Sequence, residues 1–332
     1  MSNTFKALVV TENEDETFSR SVRDWPMRDL PDHDVLIKVH YSSLNYKDAL
    51  SATGNKGVTK QFPHIPGIDA AGKVVESADE RFSEGDSVIV TGYDLGQNTC
   101  GGFGQYIRVP GDWIVPLPEN LTLRESMILG TAGFTASIGV HHLRHNNIEP
   151  ESGPVLVTGA TGGVGSMAVA ILSKLDYKVT AATGKMDKTS FLKNIGAVSV
   201  IHRNEVQDQS SKPMLSSRWA GTVDTVGGVM LDTAIRQTQH NGVVTCCGNV
   251  LGHELHTNVY PFILRGVTLA GMDSGNCLME LRRRLWAHLS GDWKPDDLQK
   301  FAKECSLDAL NPEIDRILEG QQVGRVLVNI RD

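Results

Sequence analysis

The most constraining feature of this 332-residue chain is one glycine-rich stretch, VTGATGGVGSMAVAILSKL, which runs from Val157 to Leu175. Four glycines fall within its first nine residues, and apolar residues at helical spacing follow them. The pattern predicts a buried strand, a tight turn and a helix. Such a turn suits an anionic group, because the helix N-terminus behind it offers unpaired N–H groups and a positive dipole end.

The glycine spacing is G-x-x-G-x-x-G, from Gly159 through Gly162 to Gly165, with Gly163 added. It departs from the usual G-x-G-x-x-G, so taken alone it also fits a turn that needs glycine only for its conformation. The context favours a dinucleotide, since a second strand, YKVTAAT, ends about 20 residues beyond the glycines. The predicted contacts at this turn are Thr161, Gly162, Gly163 and Val164.

The end of that second strand predicts which dinucleotide binds. It runs into Thr183, Gly184 and Lys185, with no acidic residue at its tip to bond a ribose 2′-hydroxyl. Lys185 is therefore the predicted contact for the 2′-phosphate of NADPH, unless it is an ordinary solvated lysine. Arg203, just after the next strand AVSVI, adds a second cation, while the nearby Asp187 keeps NAD as an alternative.

The remaining chain predicts two kinds of domain. Residues 1–125 contain short alternating segments separated by Gly, Pro and Asp turns, which indicate a β-rich domain. Strands and helices alternate over residues 126–270, which predicts a Rossmann-type, doubly wound α/β domain with a parallel sheet. Residues 271–332 are expected to return to the first domain. The segment GVTLAGMD, Gly266 to Asp273, is predicted to be an edge strand through which a homodimer forms.

Composition and charge exclude several classes. A formal net charge of −7 gives no broad basic surface for nucleic acid or anionic membrane. No apolar run approaches the roughly 20 residues of a membrane-spanning helix, and the N-terminus lacks a signal-peptide pattern, so we expect a cytoplasmic protein. The five cysteines form no C-x-x-C pair, which argues against disulfides and structural zinc.

Three clusters of reactive or charged residues are expected to have no catalytic role. The adjacent Cys246 and Cys247 lie in an apolar strand and are predicted to pack. The other two clusters are predicted to be solvated helix faces; they are His141, His142 and His145, and Arg282, Arg283 and Arg284.

Over nearly its whole length the chain resembles the medium-chain dehydrogenase/reductase superfamily. Within it, the chain is similar to the YhdH, YhfP and AcuI branch, which comprises acrylyl-coenzyme A reductases and quinone oxidoreductase-like enzymes. The segments that carry the resemblance are SSLNYKDALSATG, FPHIPGIDAAGKV, VTGATGGVGS, AATGK and PFILRGVTLAGMDS. The resemblance implies a GroES-like catalytic domain, a Rossmann domain and an active site in the cleft between them.

The resemblance also implies that no metal is bound. Asn45, Ile68 and Ala132 stand where zinc-dependent relatives have a cysteine, a histidine and a cysteine. Hydride transfer to a double bond conjugated to a thioester or ketone gives an enolate, which needs only hydrogen-bond donors and a proton. We therefore expect an NADPH-dependent enoyl reductase acting on acrylyl-coenzyme A, with a quinone or small-enone reductase, or a non-catalytic NADPH-binding or redox-sensing protein, as alternatives.

The resemblance assigns the remaining site residues. Tyr46 is expected to contact the cofactor or relay a proton, although water or the substrate could equally supply that proton. Asp48 is expected to be ionised and to orient Lys47 or a backbone N–H. Further cofactor contacts implied by the resemblance are Asn249, Ile263, Ser274 and Gly320.

Overall fold

A computed structural model describes residues 3–331. The strands are β1 (Thr4–Glu12), β2 (Phe18–Pro26), β3 (Val35–Leu44), β4 (Asp69–Ser77), β5 (Ser87–Thr91), β6 (Tyr106–Val109), β7 (Ile114–Pro116), β8 (Val155–Val157), β9 (Val179–Thr183), β10 (Ser199–His202), β11 (Trp219–Asp224), β12 (Thr238–Cys246), β13 (Thr268–Gly271), β14 (Ala302–Ser306) and β15 (Arg325–Asn329). The α-helices are α1 (Tyr46–Ala52), α2 (Leu123–His145), α3 (Gly163–Lys174), α4 (Thr189–Asn194), α5 (Gly228–Gln237), α6 (Tyr260–Arg265), α7 (Met279–Ser290) and α8 (Asn311–Leu318).

The described residues divide into two compact units. The first contains the chain through Thr131, then 275–290 and the residues from Phe301 onward; the second contains 132–274 and 291–300. The first unit extends past the predicted boundary at residue 125 because the Thr131 N–H and hydroxyl both donate hydrogen bonds to Asp69. Residues 291–300 leave the predicted C-terminal segment for the second unit, where Asp296 accepts a hydrogen bond from Lys174.

The first unit is built on a seven-stranded sheet. Its order is β14-β15-β3-β4-β5-β7, with β6 also paired to β3, and β1 and β2 form a separate two-stranded sheet. Apolar residues of these strands and of the segments between them bury a core that includes Leu8, Ile37, Leu44 and Phe103. The last strand, β15, pairs antiparallel with β3, so the C-terminal part of the chain completes this sheet.

The second unit is a six-stranded sheet in the order β10-β9-β8-β11-β12-β13, and all its neighbouring strands run parallel. This is the doubly wound order of dinucleotide-binding folds, which confirms the predicted α/β class. Parallel strands buried on both faces explain the unbroken apolar segments that predicted them. The carboxyl ends of all six strands lie at one edge of the sheet, and β13 is an outer strand.

Helix α2 is interrupted at Gly130, whose φ of 51° and ψ of −159° are not helical. A Cβ at this position would lie 2.5 Å from Oγ of Ser43 and 2.6 Å from Oδ2 of Asp69. Only glycine therefore allows the chain to pass so close to these buried side chains. Among residues 3–331, no helix combines the length and the apolar character needed to cross a membrane.

Candidate functional site

The glycine-rich turn joins β8 to α3 as the sequence predicted. Gly162 precedes the first helical residue, Gly163, so the backbone N–H groups of the first turn point away from the helix. A Cβ on Gly165 would lie 2.3 Å from the Gly159 carbonyl oxygen, which means that the helix can approach the turn only without a side chain there. The turn therefore has the shape of a phosphate cradle.

The buried side chain of Asp224 forms hydrogen bonds with the backbone and side chains next to this turn. Asp224, at the end of β11, accepts hydrogen bonds from the Thr158 hydroxyl at 2.7 Å and from the Gly227 N–H at 2.8 Å. Thr225 in turn donates its hydroxyl to the Thr158 carbonyl oxygen at 2.8 Å. Burial raises the pKa of Asp224. These bonds fix the carboxyl ends of two adjacent strands to each other.

The residues predicted to select the dinucleotide lie together. The hydroxyls of Thr161 and Thr183 are 3.2 Å apart, and the Lys185 N–H donates to the Thr183 hydroxyl at 3.0 Å. Arg203 lies against Gly184, since a Cβ there would be 3.0 Å from its Nε. The structure thus gathers two cationic residues at the tips of β9 and β10.

Asp187, the acidic residue that would favour NAD, forms an ion pair with Lys188. Asp187 lies 2.8 Å from the Lys188 ammonium, and this contact lowers the pKa of Asp187. Partial burial lowers the pKa of Lys185. The charge of the nearby Asp187 acts in the opposite direction on the pKa of Lys185, and an anionic ligand group beside Lys185 would likewise stabilise its charged form.

The predicted nicotinamide contacts follow other strands of the same sheet. Asn249 follows β12 and is exposed, and its Cα lies 3.2 Å from where a Cβ on Gly227 would be. Ile263, on α6, is 67% exposed. Ser274 is half-buried and follows β13. The contacts predicted for these three residues stay predictions.

Two predicted contacts belong to the first unit. Tyr46 is the first residue of α1 and is 41% exposed, so its side chain is open to a ligand. Gly320 follows the end of α8 with a φ of 68°, and its N–H donates to the Ile317 carbonyl oxygen. With this geometry, Gly320 terminates helix α8.

The first unit also contains a buried polar cluster that links Asn45, Asp48, Asp69 and Arg325. The Asn45 side-chain amide donates to Oδ2 of Asp69 at 2.8 Å and accepts from Nη1 of Arg325 at 3.1 Å. Ser43 donates to Asp69 at 2.5 Å and accepts from Nη2 of Arg325 at 2.8 Å. Asp69 and Arg325 are 3.7 Å apart, and neither side chain is more than 2% exposed.

Asp48 lies beside this cluster and corrects one expectation. It accepts hydrogen bonds from the backbone N–H groups of Asn45 and Ile68, each at 2.8 Å, while Lys47 is exposed. Burial, together with the nearby charge of Asp69, raises the pKa of Asp48 to about 7. The expectation that Asp48 orients a backbone N–H is met, whereas the pKa of its carboxyl is not the unperturbed one that we expected.

The side-chain amide of Asn45, where the resemblance implies a lost zinc ligand, is engaged by hydrogen bonds. Both polar atoms of the Asn45 amide are engaged, one with Asp69 and the other with the Arg325 guanidinium. The Arg325 guanidinium already supplies a positive charge beside the Asp69 carboxylate, 3.7 Å away. Over the described residues 3–331, no group of three or more His, Cys, Asp or Glu side chains is arranged to hold a metal.

Two expectations about the remaining clusters were wrong. Arg282 is buried rather than solvated, because it donates to the Thr91 carbonyl oxygen and hydroxyl at 2.8 Å and lies 4.5 Å from the Tyr93 ring centre. Cys246 packs against an apolar cluster, but Cys247 is exposed. Arg283 and Arg284 are exposed as expected.

Sequence reasoning missed Asp69 and Arg325. Asp69 lies in the segment FPHIPGIDAAGKV. It directly follows Ile68, the residue that the resemblance places at a lost zinc ligand. The available signal was a charged residue at the start of an apolar strand. A charged side chain is rarely buried in such a strand unless it has a partner, so a partner could have been expected. Arg325 at the start of VLVN had the same signal.

Comparisons with known proteins agree with this architecture. The alcohol dehydrogenase GroES-like domain model matches residues 31–119, and the zinc-binding dehydrogenase model matches residues 163–290. The Bacillus subtilis protein YhfP, solved with NAD bound, is 46% identical, with 99% of this chain and 100% of that chain covered and a TM-score of 0.96. YhdH from Salmonella enterica, solved in complex with NADP, is 42% identical over 98% of this chain and 100% of its own, with a TM-score of 0.95. Acrylyl-CoA reductase AcuI of Ruegeria pomeroyi is 41% identical over 327 residues, which cover 98% of this chain and 99% of that protein.

Proposed function

The chain belongs to the medium-chain dehydrogenase/reductase superfamily, and from this premise we propose that it is an NADPH-dependent enoyl reductase. Its proposed reaction is the reduction of acrylyl-coenzyme A to propionyl-coenzyme A. The observation that supports the reaction class is the Asn45 amide, which is hydrogen-bonded to Asp69 and Arg325 where the resemblance implies a lost metal ligand. A conjugated double bond is the acceptor that such a metal-free site suits best.

The reaction needs little from the protein beyond position and hydrogen bonds. NADPH, when bound, supplies the hydride. The hydride adds to the β-carbon of the acyl group, the double-bond electrons move to the thioester oxygen, and a proton then adds to the α-carbon. Hydrogen-bond donors stabilise the oxygen while it carries the negative charge. We propose Tyr46 as a cofactor contact that also relays this proton, with bulk water as its source.

The cofactor is proposed to lie along the carboxyl edge of the second unit's sheet. Backbone N–H groups at the start of α3 would bind the pyrophosphate. Lys185 and Arg203 would bind the 2′-phosphate, and their presence at adjacent strand tips supports NADPH over NADH. Contacts to the nicotinamide end are proposed on resemblance, from Asn249, Ile263 and Ser274.

A second acceptor class has specific support. The relative YhfP has a name that refers to quinone oxidoreduction, whereas AcuI is named for acrylyl-CoA. The same hydride chemistry serves a quinone or a small enone, so both remain candidate acceptors. YhfP was also solved with NAD bound, which makes cofactor preference a separate question from acceptor preference.

The proposal is tested by a screen of NADPH oxidation. Acrylyl-, crotonyl- and longer enoyl-coenzyme A thioesters are compared with quinones at matched concentrations, by absorbance of the reduced nicotinamide. We expect the highest kcat/KM with acrylyl-coenzyme A. Preference for a quinone would support the second class. NADPH binding without oxidation by any acceptor would indicate a binding or sensing protein.

A further inference from the structure

The register of two strands places one glycine beside one arginine. Strands β9 and β10 pair in parallel, with Thr183 opposite His202. The residues that follow, Gly184 and Arg203, therefore leave the sheet side by side. A short helical turn fixes the backbone at Arg203, because the His202 N–H donates to the Glu205 carboxylate at 3.0 Å.

The side chain of Arg203 would be in tight contact with any side chain at position 184. A Cβ there would lie 3.0 Å from Nε, 3.1 Å from Cδ and 3.2 Å from Cζ of Arg203. Gly184 does not have the positive φ that would itself require glycine. Alanine could adopt the same backbone, so the glycine serves to leave space and not to permit a strained conformation.

We propose that Gly184 is a specificity-determining position for the cofactor. Because Gly184 has no side chain, Arg203 can lie across the turn that carries Lys185. This placement of Arg203 sets the preference for a 2′-phosphorylated dinucleotide. The inference rests on the proposed NADPH preference and adds a positioning residue to it. Gly184 makes no charged contact itself. Gly184 acts by determining where the guanidinium of Arg203 lies.

The consequence is selective for the phosphate. A guanidinium binds a phosphate through two parallel N–H···O bonds, and this bidentate geometry is weakened when a Cβ at position 184 forces the Arg203 side chain to shift. The Thr183 hydroxyl holds the Lys185 N–H, so the second cation keeps its backbone position. Displacing Arg203 is therefore expected to weaken phosphate recognition while leaving the adenosine 5′-phosphate contacts intact.

The test uses cofactor fragments, which need no acceptor and no turnover. Adenosine 2′,5′-bisphosphate and adenosine 5′-monophosphate are titrated calorimetrically into the full chain and into Gly184→Ala, Arg203→Ala and the double variant. Gly271→Ala is the matched control, because a Cβ at Gly271 meets nothing within 4 Å. Thermal melting of each variant establishes that it is folded.

We expect Arg203→Ala to reduce the preference for the bisphosphate about tenfold, as loss of one charge-assisted contact predicts. Gly184→Ala should reduce this preference by a smaller factor, because the arginine must shift but stays present, and the double variant should lose no more than Arg203→Ala alone. Equal weakening of both fragments, no change, or additive losses would overturn the role of Gly184 alone. A wild-type chain that binds both fragments equally would overturn the NADPH preference as well.

Discussion

The Asn45 side-chain amide donates a hydrogen bond to Oδ2 of Asp69 over 2.8 Å, and both side chains are buried. The other end of the same amide accepts from Arg325. The neutral amide therefore connects a buried carboxylate to a buried guanidinium. This connection has consequences for stability, for pH dependence and for the metal requirement.

Removing the guanidinium should destabilise the first unit. Arg325→Ala would leave Asp69 buried without its cation, which costs about 3–5 kcal/mol in comparable buried pairs. Urea-induced unfolding measures the loss. Arg283→Ala, at an exposed position on α7, is the control and should change the unfolding free energy little. A loss as small as that of the control would show that neutral hydrogen bonds alone hold Asp69.

Asp48 should make the protein less stable as the pH rises from about 4 to about 7. Its pKa is about 7 in the folded chain, against an ordinary value of 3.8, so the folded state binds a proton that the unfolded state has released. The stabilisation is complete below the unfolded pKa and is lost as the pH passes the folded one. The slope reaches at most about 1.4 kcal/mol per pH unit.

The variant Asp48→Asn should flatten this slope, since it removes the titrating group that faces Asp69 and Arg325. Unfolding free energies between pH 5 and pH 8 measure the effect. Asp32→Asn, at an exposed aspartate, is the matched control. If Asp48→Asn and Asp32→Asn keep the wild-type slope alike, Asp48 is ionised throughout this range.

Lys185→Ala should raise the KM for NADPH and leave that for NADH almost unchanged. A charge-assisted contact to the 2′-phosphate contributes about 1.5–3 kcal/mol, or roughly one to two powers of ten in affinity. Thr183→Ala should cause a smaller loss through its bond to the Lys185 N–H. Lys178→Ala, at an exposed position just before the start of β9, is the control. Equal weakening of both cofactors would make Asp187 the residue to examine.

We expect a homodimer through the outer strand β13. Its edge is unpaired in the described chain, and Val259, Ile263 and Leu264 nearby are more than half exposed. Light scattering at micromolar concentration should give twice the chain mass. Gly271→Lys should give a monomer by placing a charge at the edge, and Gly271→Ala should not. A monomeric wild type would reject this interface.

Turnover should not depend on a metal. In the polar cluster the Asn45 amide is engaged by Asp69 and Arg325, so we expect prolonged treatment with a strong chelator to leave kcat unchanged. Metal analysis of the purified protein accompanies the assay. Stoichiometric zinc whose removal abolishes activity would disprove this prediction and the proposed reaction class with it.

The sequence by itself predicted the features that depend on neighbouring residues. The glycine turn, the alternation of strands and helices, and the cation at the tip of β9 are all encoded within short segments, because a strand, a turn and a helix each have their own residue period. The α/β class and the position of Lys185 followed from these segments without knowledge of any distant contact.

Only the tertiary structure decided what lies together across long separations. Asn45 and Arg325 are 280 residues apart along the chain, and β15 brings them together by pairing with β3. The register of β9 and β10 likewise places Arg203 over Gly184. Such meetings depend on strand order and register, which no local period specifies, and the same holds for the burial of Arg282 and the raised pKa of Asp48.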